Sequence, residues 1–318
     1  MSHVEHLQEL HGLPAFDFAE AVGQRELPEA GAVAWRLAAD PYGDSPYGDF
    51  DDLWKQFLDS VDLSGVRAII VGQWGEAYDD DSSGIVRRLV DARDRLTALR
   101  AVFIGDLEME EAEISWIQQS DVTPVLEAYP LLEEFGIRGG TGLRFPAVRH
   151  QHLHRLRFEA GGLPGEVVRG VAASELPALE DLDIWLGVVE YGGDASVADL
   201  APLLTQGRFP ALRHLGLRNS EIQDEIAAAV AGAPVIAQLT SLDLSMGVLT
   251  DEGATALLGG QPLTHLTRLD LHHNYVTEPV ARRIREALEP SGVAVDLSEP
   301  GDTWEDDGVV HRFTAVAE

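Results

Sequence analysis

The chain has 318 residues, 45% of them hydrophobic, no cysteine and a formal net charge of −31. That length allows two globular domains or one elongated array, and the missing thiols exclude disulfides, thiol catalysis and cysteine-zinc sites, which fits a reducing cytoplasm. The charge disfavours DNA, RNA and anionic lipid as partners, since each would repel the molecule at long range. No apolar run approaches the ~18 residues of a membrane span.

The start, "MSHVEHLQELHGLP", has no basic segment followed by an apolar block, so no secretory leader is expected. "PAFDF" (14–18) and "AVAWRLAAD" (32–40) alternate as strands do, and "FDDLWKQFLDSV" (50–61) has helical spacing. Residues 1–62 are therefore expected to form an N-terminal cap. Lys55 is the only lysine among the 23 basic residues, and this skew, with abundant Ala and Gly, looks like bacterial high-GC coding.

From Val66 onward one frame recurs. Its last apolar position falls at Val71, Ile104, Ile137, Phe158, Ile184, Leu217, Leu244, Leu271 and Leu297, at spacings of 33, 33, 21, 26, 33, 27, 27 and 26 residues. Two positions earlier stand Ile69, Val102, Phe135, Leu156, Leu182, Leu215, Leu242, Leu269 and Val295. Five earlier the residue is again apolar until Gly292, where the pattern fails. Apolar residues at i and i+2 put two side chains on one face of a short strand.

Between the strands lie segments with helical spacing: "SSGIVRRLVDARDRL" (82–96), "SVADLAPLLTQG" (196–207), "SEIQDEIAAAVAGA" (220–233), "DEGATALLGG" (251–260) and "EPVARRIREALE" (278–289). "EMEEAEISWIQQ" (108–119) also reads as a helix, with an acidic first turn and Trp116 packed inward. The 21-residue coil containing "IRGGTGLRFPAVRHQHL" (137–153) is too short for a full helix, so an irregular link and a local kink are expected there. After the last copy, "GVVHRFTAVAE" (308–318) alternates and is expected to add a closing strand to the far edge. One strand and one helix per unit cannot close a core alone, so the units must stack.

Residues 66–297 resemble leucine-rich-repeat proteins, and "LTSLDLSMGVLTDEGATALLGGQPLTHLTRLDLHHNYVTEPVARRIREAL" resembles the ribonuclease-inhibitor type. The full-length pattern is also similar to an uncharacterised bacterial family of such proteins, which implies no established activity. The resemblance implies an α/β solenoid curved as a horseshoe, with parallel strands on the concave face, helices on the convex face and a cap at each end. Its parts would be the cap (1–62), a solenoid of about nine coils (63–298) and a C-terminal cap strand (299–318), in one continuous unit. One departure is visible: Asn274 matches the family's strand-exit asparagine, but Ser220, Gly247, Gly187, Gly161 and Gly140 stand at the matching positions of other copies, which implies looser turns.

On a concave face the residues midway between each apolar pair point outward, and these include Asp183, Asp243, Asp270 and Asp296. Two carboxylates one rung apart, near 5 Å, repel by roughly 3 kcal/mol at an effective dielectric of 20. Water, Arg268, His214, His272 or a cationic partner must relieve that repulsion. The functional reading is an acidic floor formed by Asp183, Asp243, Asp270 and Asp296, with Trp185, Arg218 and His272 as anchors of the types that dominate binding energy. The plainer reading is a solvated ladder. In the N-terminal half, Ile70, Phe103, Gly72 and Gly105 would leave an apolar patch, either open to a ligand or covered by the loop "GEAYDDDSSG" (75–84). Cover is the favoured expectation.

Other motifs carry less. His150, His152 and His154 alternate and could bind zinc, but neighbours on one strand splay apart, so solvated histidines are expected. Asp79, Asp80 and Asp81 lack the spacing of a calcium loop, and "GIRGGTG" (136–142) lacks the ending of a phosphate loop. The expectation is a non-enzymatic, cytoplasmic scaffold without cofactor or metal, binding a protein or peptide of basic character. Two alternatives stay open: an accessory subunit of an enzyme encoded nearby, and a metal-dependent protein centred near His150–His154.

Overall fold

Successive copies of the apolar frame become successive rungs of one sheet. The computed structural model describes residues 4–20, 27–40, 49–306 and 308–318. Its main sheet has twelve strands in strict chain order: β1 (Glu9–Leu10), β2 (Leu13–Asp17), β3 (Ala34–Leu37), β4 (Ala68–Val71), β5 (Ala101–Ile104), β6 (Glu134–Arg138), β7 (Arg155–Glu159), β8 (Asp181–Gly187), β9 (His214–Ser220), β10 (Ser241–Asp243), β11 (Arg268–Asp270) and β12 (Ala294–Asp296). β1 pairs antiparallel with β2, and every later pairing is parallel. The frame fixes the register: Ile69 faces Val102, Val102 faces Phe135, and so on to Leu269 facing Val295.

The inward pairs are sealed. From Ile69 and Val71 through Leu269 and Leu271, none is more than 1% exposed. Each removes roughly 1.5–3 kcal/mol of apolar exposure. The covering helices are α1 (Phe50–Ser60), α2 (Ser83–Asp91), α3 (Thr123–Ala128), α4 (Gly165–Ala173), α5 (Val197–Leu200), α6 (Gln223–Ala231), α7 (Asp251–Leu258) and α8 (Glu278–Leu288). They turn residues three and four apart into the same core, such as Ile85, Val86 and Leu89 of α2 or Val280, Ile284 and Leu288 of α8. Gly292 breaks the frame because the turn after α8 ends there with φ +87°, a left-handed conformation that favours glycine. β1–β3 and α1 continue the same stack, and there Phe18 packs edge to face on both Trp35 and Phe57.

Three expectations differ from the structure. Residues 108–119 form only a short 3-10 turn, Ile114–Trp116, with Trp116 54% exposed and Ile114 and Ile117 buried instead. The backbone there is spent on neighbours, Gln118 N–H donating to Ala77 O and Gln119 N–H to Thr141 O, so no helix can propagate. The closing strand does not join the sheet either. β13 (Trp304–Asp306) and β14 (Val309–His311) form a separate antiparallel ribbon, and β12 ends the main sheet among the described residues. The chain is turned away at Gly301, whose N–H donates to Asn274 O, and residues 312–318 double back over the strand exits. Finally, α5 stops after one turn because Pro202 cannot continue it. The link at 139–154 contains no helix or strand, as its length requires.

Candidate interaction surface

The face of the sheet away from the helices carries two built regions. On the N-terminal side, Ile70 and Phe103 do form an apolar patch, with Ala34, Ala68 and Ala101. It is covered, though by residues 4–13 and not by the 75–84 loop: Leu7, Leu10 and Leu13 pack upon it. The cover is fixed through Asp106, which is fully buried. Asp106 Oδ1 accepts the Leu7 N–H at 3.0 Å and its backbone carbonyl accepts from His6 Nδ1 at 3.1 Å. Arg36 reaches the same carboxylate at 2.5 Å and donates to Leu7 O, while Arg138 lies 3.4 Å from it and donates to Glu5 O and Leu107 O. Glu159 closes the chain of charges, 2.8 Å from Arg138. Burial pushes the Asp106 carboxyl up, but the His6 ring, its Nδ1 3.6 Å from Oδ2, and the two guanidiniums outweigh it and hold it below its ordinary value.

On the C-terminal side the register puts Asp243 opposite Asp270 and Asp270 opposite Asp296, with Gly216 between Asp183 and Asp243. Gly216 leaves room that two neighbours fill: a side chain there would meet Asp183 Oδ1 at 2.7 Å and the Arg218 stem at 3.4 Å. Arg218 lies between the acids, 3.2 Å from Asp183 and 3.2 Å from Asp243. It also donates to Ser245 Oγ and Met246 Sδ, and its guanidinium stands 5.3 Å over the Trp185 ring. Arg268 bridges the next gap, 2.6 Å from Asp270 and 3.5 Å from Asp296. His272 Nδ1 bonds Asp270 at 2.8 Å.

The repeated Asp has a local reason that spacing alone did not reveal. Asp243 Oδ1 accepts the N–H of Ser245, Asp270 Oδ1 that of His272, and Asp296 Oδ1 that of Ser298. Each carboxylate caps its own strand two residues on, where the ladder ends. The seven site residues expected from the sequence thus form two joined groups, Asp183–Trp185–Arg218–Asp243 and Asp270–His272–Asp296. Their exposure is lower than an open floor implies: Asp183, Trp185, Asp243 and Asp270 are all at most 9% exposed. Burial holds the Asp243 carboxyl above its ordinary value, against the pull of Arg218. Asp183 Oδ1 and Trp185 Nε1 are buried with no hydrogen-bond partner among the described residues.

Asp270, His272 and Asp296 are also close enough to share a cation, their ligand atoms lying within 4.8 Å. Arg268 already occupies that position and opposes one. The three histidines of 150–154 do not converge in this way. His150 is buried, its Nε2 donating to Tyr129 O and its Nδ1 accepting the His152 N–H, and burial lowers its pKa. His152 turns its Nδ1 to Pro130 O. Asp81 caps the start of α2 through the Ser83 N–H.

Sequence reasoning missed Met246 and Asn219. Together with His273 they recur every 27 residues at strand exits with φ between +48° and +67°, and no residue-type pattern marks them. The missing exit asparagines have a substitute: Asn274 Nδ2 donates to Leu271 O, and Gln223 Nε2 makes the matching bond to Leu217 O from within α6.

His272 gives a pH signature. Its bond to Asp270 raises its pKa above 6.5 despite burial. The associated stability is complete below the unfolded value of about 6.5 and is lost as pH rises through the higher folded value. The His272→Gln substitution is therefore expected to lower the urea midpoint more at pH 5.5 than at pH 9.

Among curated proteins none matches the chain. The model of a leucine-rich repeat matches residues 238–258, which span β10 and α7. A solved structure of a Bacteroides fragilis protein is 30% identical, covers 93% of this chain and 80% of its own, and superposes with a TM-score of 0.78. Rung order, register, repeat match and that likeness agree: the chain belongs to the leucine-rich-repeat proteins.

Proposed function

We propose that the chain is a non-enzymatic scaffold that binds a protein or peptide of basic character on the inner face of β8–β12. The observation that carries this reading is the charge balance there: among the described residues Asp183, Asp243, Asp270 and Asp296 are bridged by two guanidiniums, Arg218 and Arg268. Among the described residues Asp183 Oδ1 accepts no hydrogen bond although buried, an unsatisfied acceptor within the acidic floor. Trp185, Arg218 and His272 supply the aromatic and cationic anchors beside it. Leucine-rich-repeat domains commonly serve as interaction scaffolds, which supports a protein partner. Among the described residues no helix is long and apolar enough to cross a membrane, and the reading places the chain in the cytoplasm, away from nucleic acid and lipid because of its charge of −31.

The test starts from co-purification with the products of neighbouring genes, followed by titration across salt. Affinity is expected to fall with ionic strength, and Asp243→Asn with Asp270→Asn to weaken binding and flatten the salt slope. An unchanged affinity and slope in that double variant contradicts the acidic floor.

A further inference from the structure

Residues 312–318 do not fold back as part of the sheet; they lie across it. After the β13–β14 ribbon, the segment Arg312-Phe-Thr-Ala-Val-Ala-Glu318 crosses the exits of the preceding strands one after another. Arg312 stands 5.8 Å over the Tyr275 ring, and the Tyr275 hydroxyl lies 2.8 Å from both the Phe313 N and O. The Ala315 N–H donates to Met246 O at 2.8 Å. Asn219 then grips Val316 by its backbone, Oδ1 accepting its N–H at 3.0 Å and Nδ2 donating to its carbonyl at 2.5 Å. Ser115 Oγ donates to Ala317 O, and the Tyr191 hydroxyl to Glu318.

These contacts resemble recognition of a peptide more than packing of a core. The Asn219 amide reads the N–H and the C=O of one residue, Val316, backbone groups that any residue but proline offers. Selectivity comes from the walls. Val316 is 3% exposed in a notch of Ile114, Trp185 and Met246, joined by Val4 from the N-terminal cover. Gly161 lies under the Ala317 carbonyl, and a Cβ there would collide with it and with Ser115 Oγ. The neighbours of the inserted residue are both alanine. Ser115 and Tyr191, which bond Ala317 and Glu318, also line a recess of about 490 Å³ walled by Tyr78 and Trp116. The ribbon that delivers the segment is exposed, Trp304 57%, Val309 56% and Val310 46%, so little besides the track itself holds residues 312–318 down.

The geometry points to a peptide-docking track along the strand exits, filled in cis by residues 312–318. In trans it takes a peptide with a basic residue, then four positions later a β-branched residue flanked by small ones. The inference rests on the reading of the inner face as an interaction surface and deepens it: Val316 sits on Trp185 and Met246, the same residues that contact Arg218. Release of the segment therefore uncovers the exit side of the acidic floor, and a partner competes with it for the notch.

The probe is a labelled synthetic heptapeptide of sequence Arg-Phe-Thr-Ala-Val-Ala-Glu, followed by fluorescence polarisation against the full chain. Val316→Asp ejects the internal copy, so the variant is expected to bind the peptide at least ten-fold more tightly than the unaltered chain. Adding Gly161→Ala, which closes the track to either copy, is expected to abolish that gain. A folded Val316→Asp chain that binds no more tightly than the unaltered one overturns the inference. If Val316→Asp does not fold, hydrogen exchange on the unaltered chain decides. The Ala315 and Val316 amides are expected to exchange at least 100-fold faster than those of Leu244 and Leu271, which bond within the sheet to Asp270 O and Asp296 O. Equal protection overturns it. Failure here, with salt-dependent partner binding intact and sensitive to Asp243→Asn and Asp270→Asn, removes the track alone and leaves the acidic floor standing.

Discussion

Replacing Asp106 with alanine is expected to lower stability by about 3–5 kcal/mol, because it strands two buried guanidiniums around a lost charge. Arg138 is 3% exposed and Arg36 8%, so neither can recover its hydration by a rotamer change. Glu159 would remain as partner to Arg138, but the described ion pair of Arg36 is with Asp106. The substitution also removes the acceptor for the Leu7 N–H, so residues 4–10 should lift and uncover Ile70 and Phe103. Urea unfolding reads the first effect and binding of a hydrophobic dye the second. Asp106→Asn keeps an acceptor for Leu7 and should hold the cover better while still losing charge. The pH course follows from the depressed folded pKa: the contribution of Asp106 is present above the unfolded value of about 3.9 and is lost as pH falls through the lower folded value. A loss under about 1 kcal/mol for Asp106→Ala would put the pair in the class of solvated surface bridges instead.

Arg218→Ala is expected to cost a comparable amount, about 3–5 kcal/mol at neutral pH. Arg218 bridges Asp183 and Asp243, whose side chains are 10% and 11% exposed. Without it two buried carboxylates face each other across the bare Gly216, with Asp270 in register beyond. Protonation relieves that repulsion, so the deficit should shrink as pH falls towards the carboxylate range, and Asp243, already held above its ordinary value by burial, should take the proton. Arg218→Lys should recover only part of the loss, because a single ammonium cannot reach both acids, Ser245 and the Trp185 ring together. Urea midpoints of the three proteins at pH 5 and pH 8 test this, and a deficit for Arg218→Ala that is the same at both pH values would contradict it.

The repeat frame was legible because burial of Leu, Ile and Val at i and i+2 is a one-dimensional signal: Leu215, Leu242 and Leu269 can be placed in register by counting. The inner-face position of Asp183, Asp243, Asp270 and Asp296 followed from the same counting. What neutralises them did not. Arg218 reads as an exposed anchor in sequence, and only the absence of a side chain at Gly216 lets it bridge two acids. The capping of each strand exit by its own Asp was likewise invisible, since it depends on a carboxylate oxygen reaching an N–H two residues on. The two covers are the least legible elements of the fold. Periodicity shows that residues 308–318 alternate, but not whether the alternation meets a sheet edge or, as here, crosses strand exits under the control of Asn219 and Gly161. For residues 4–13, the signal lay in Leu7, Leu10 and Leu13, three apolar residues without a repeat of their own. Trp116 stands exposed because helical spacing in 108–119 competes with backbone bonds to Ala77 and Thr141 that no local pattern encodes.

All of this requires that residues 27 apart in the chain be neighbours on one face. The absence of cysteine makes that directly measurable. Ser241 and Arg268 are partners in register on β10 and β11, so Ser241→Cys with Arg268→Cys places two thiols one strand spacing apart, about 4.8 Å, within reach of a disulfide. Ser241→Cys with Ala294→Cys places them two rungs apart, about 9.6 Å. The stacked register predicts rapid oxidation to an intramolecular disulfide in the first pair and none in the second. Equal cross-linking of both pairs, or of the second alone, would contradict it.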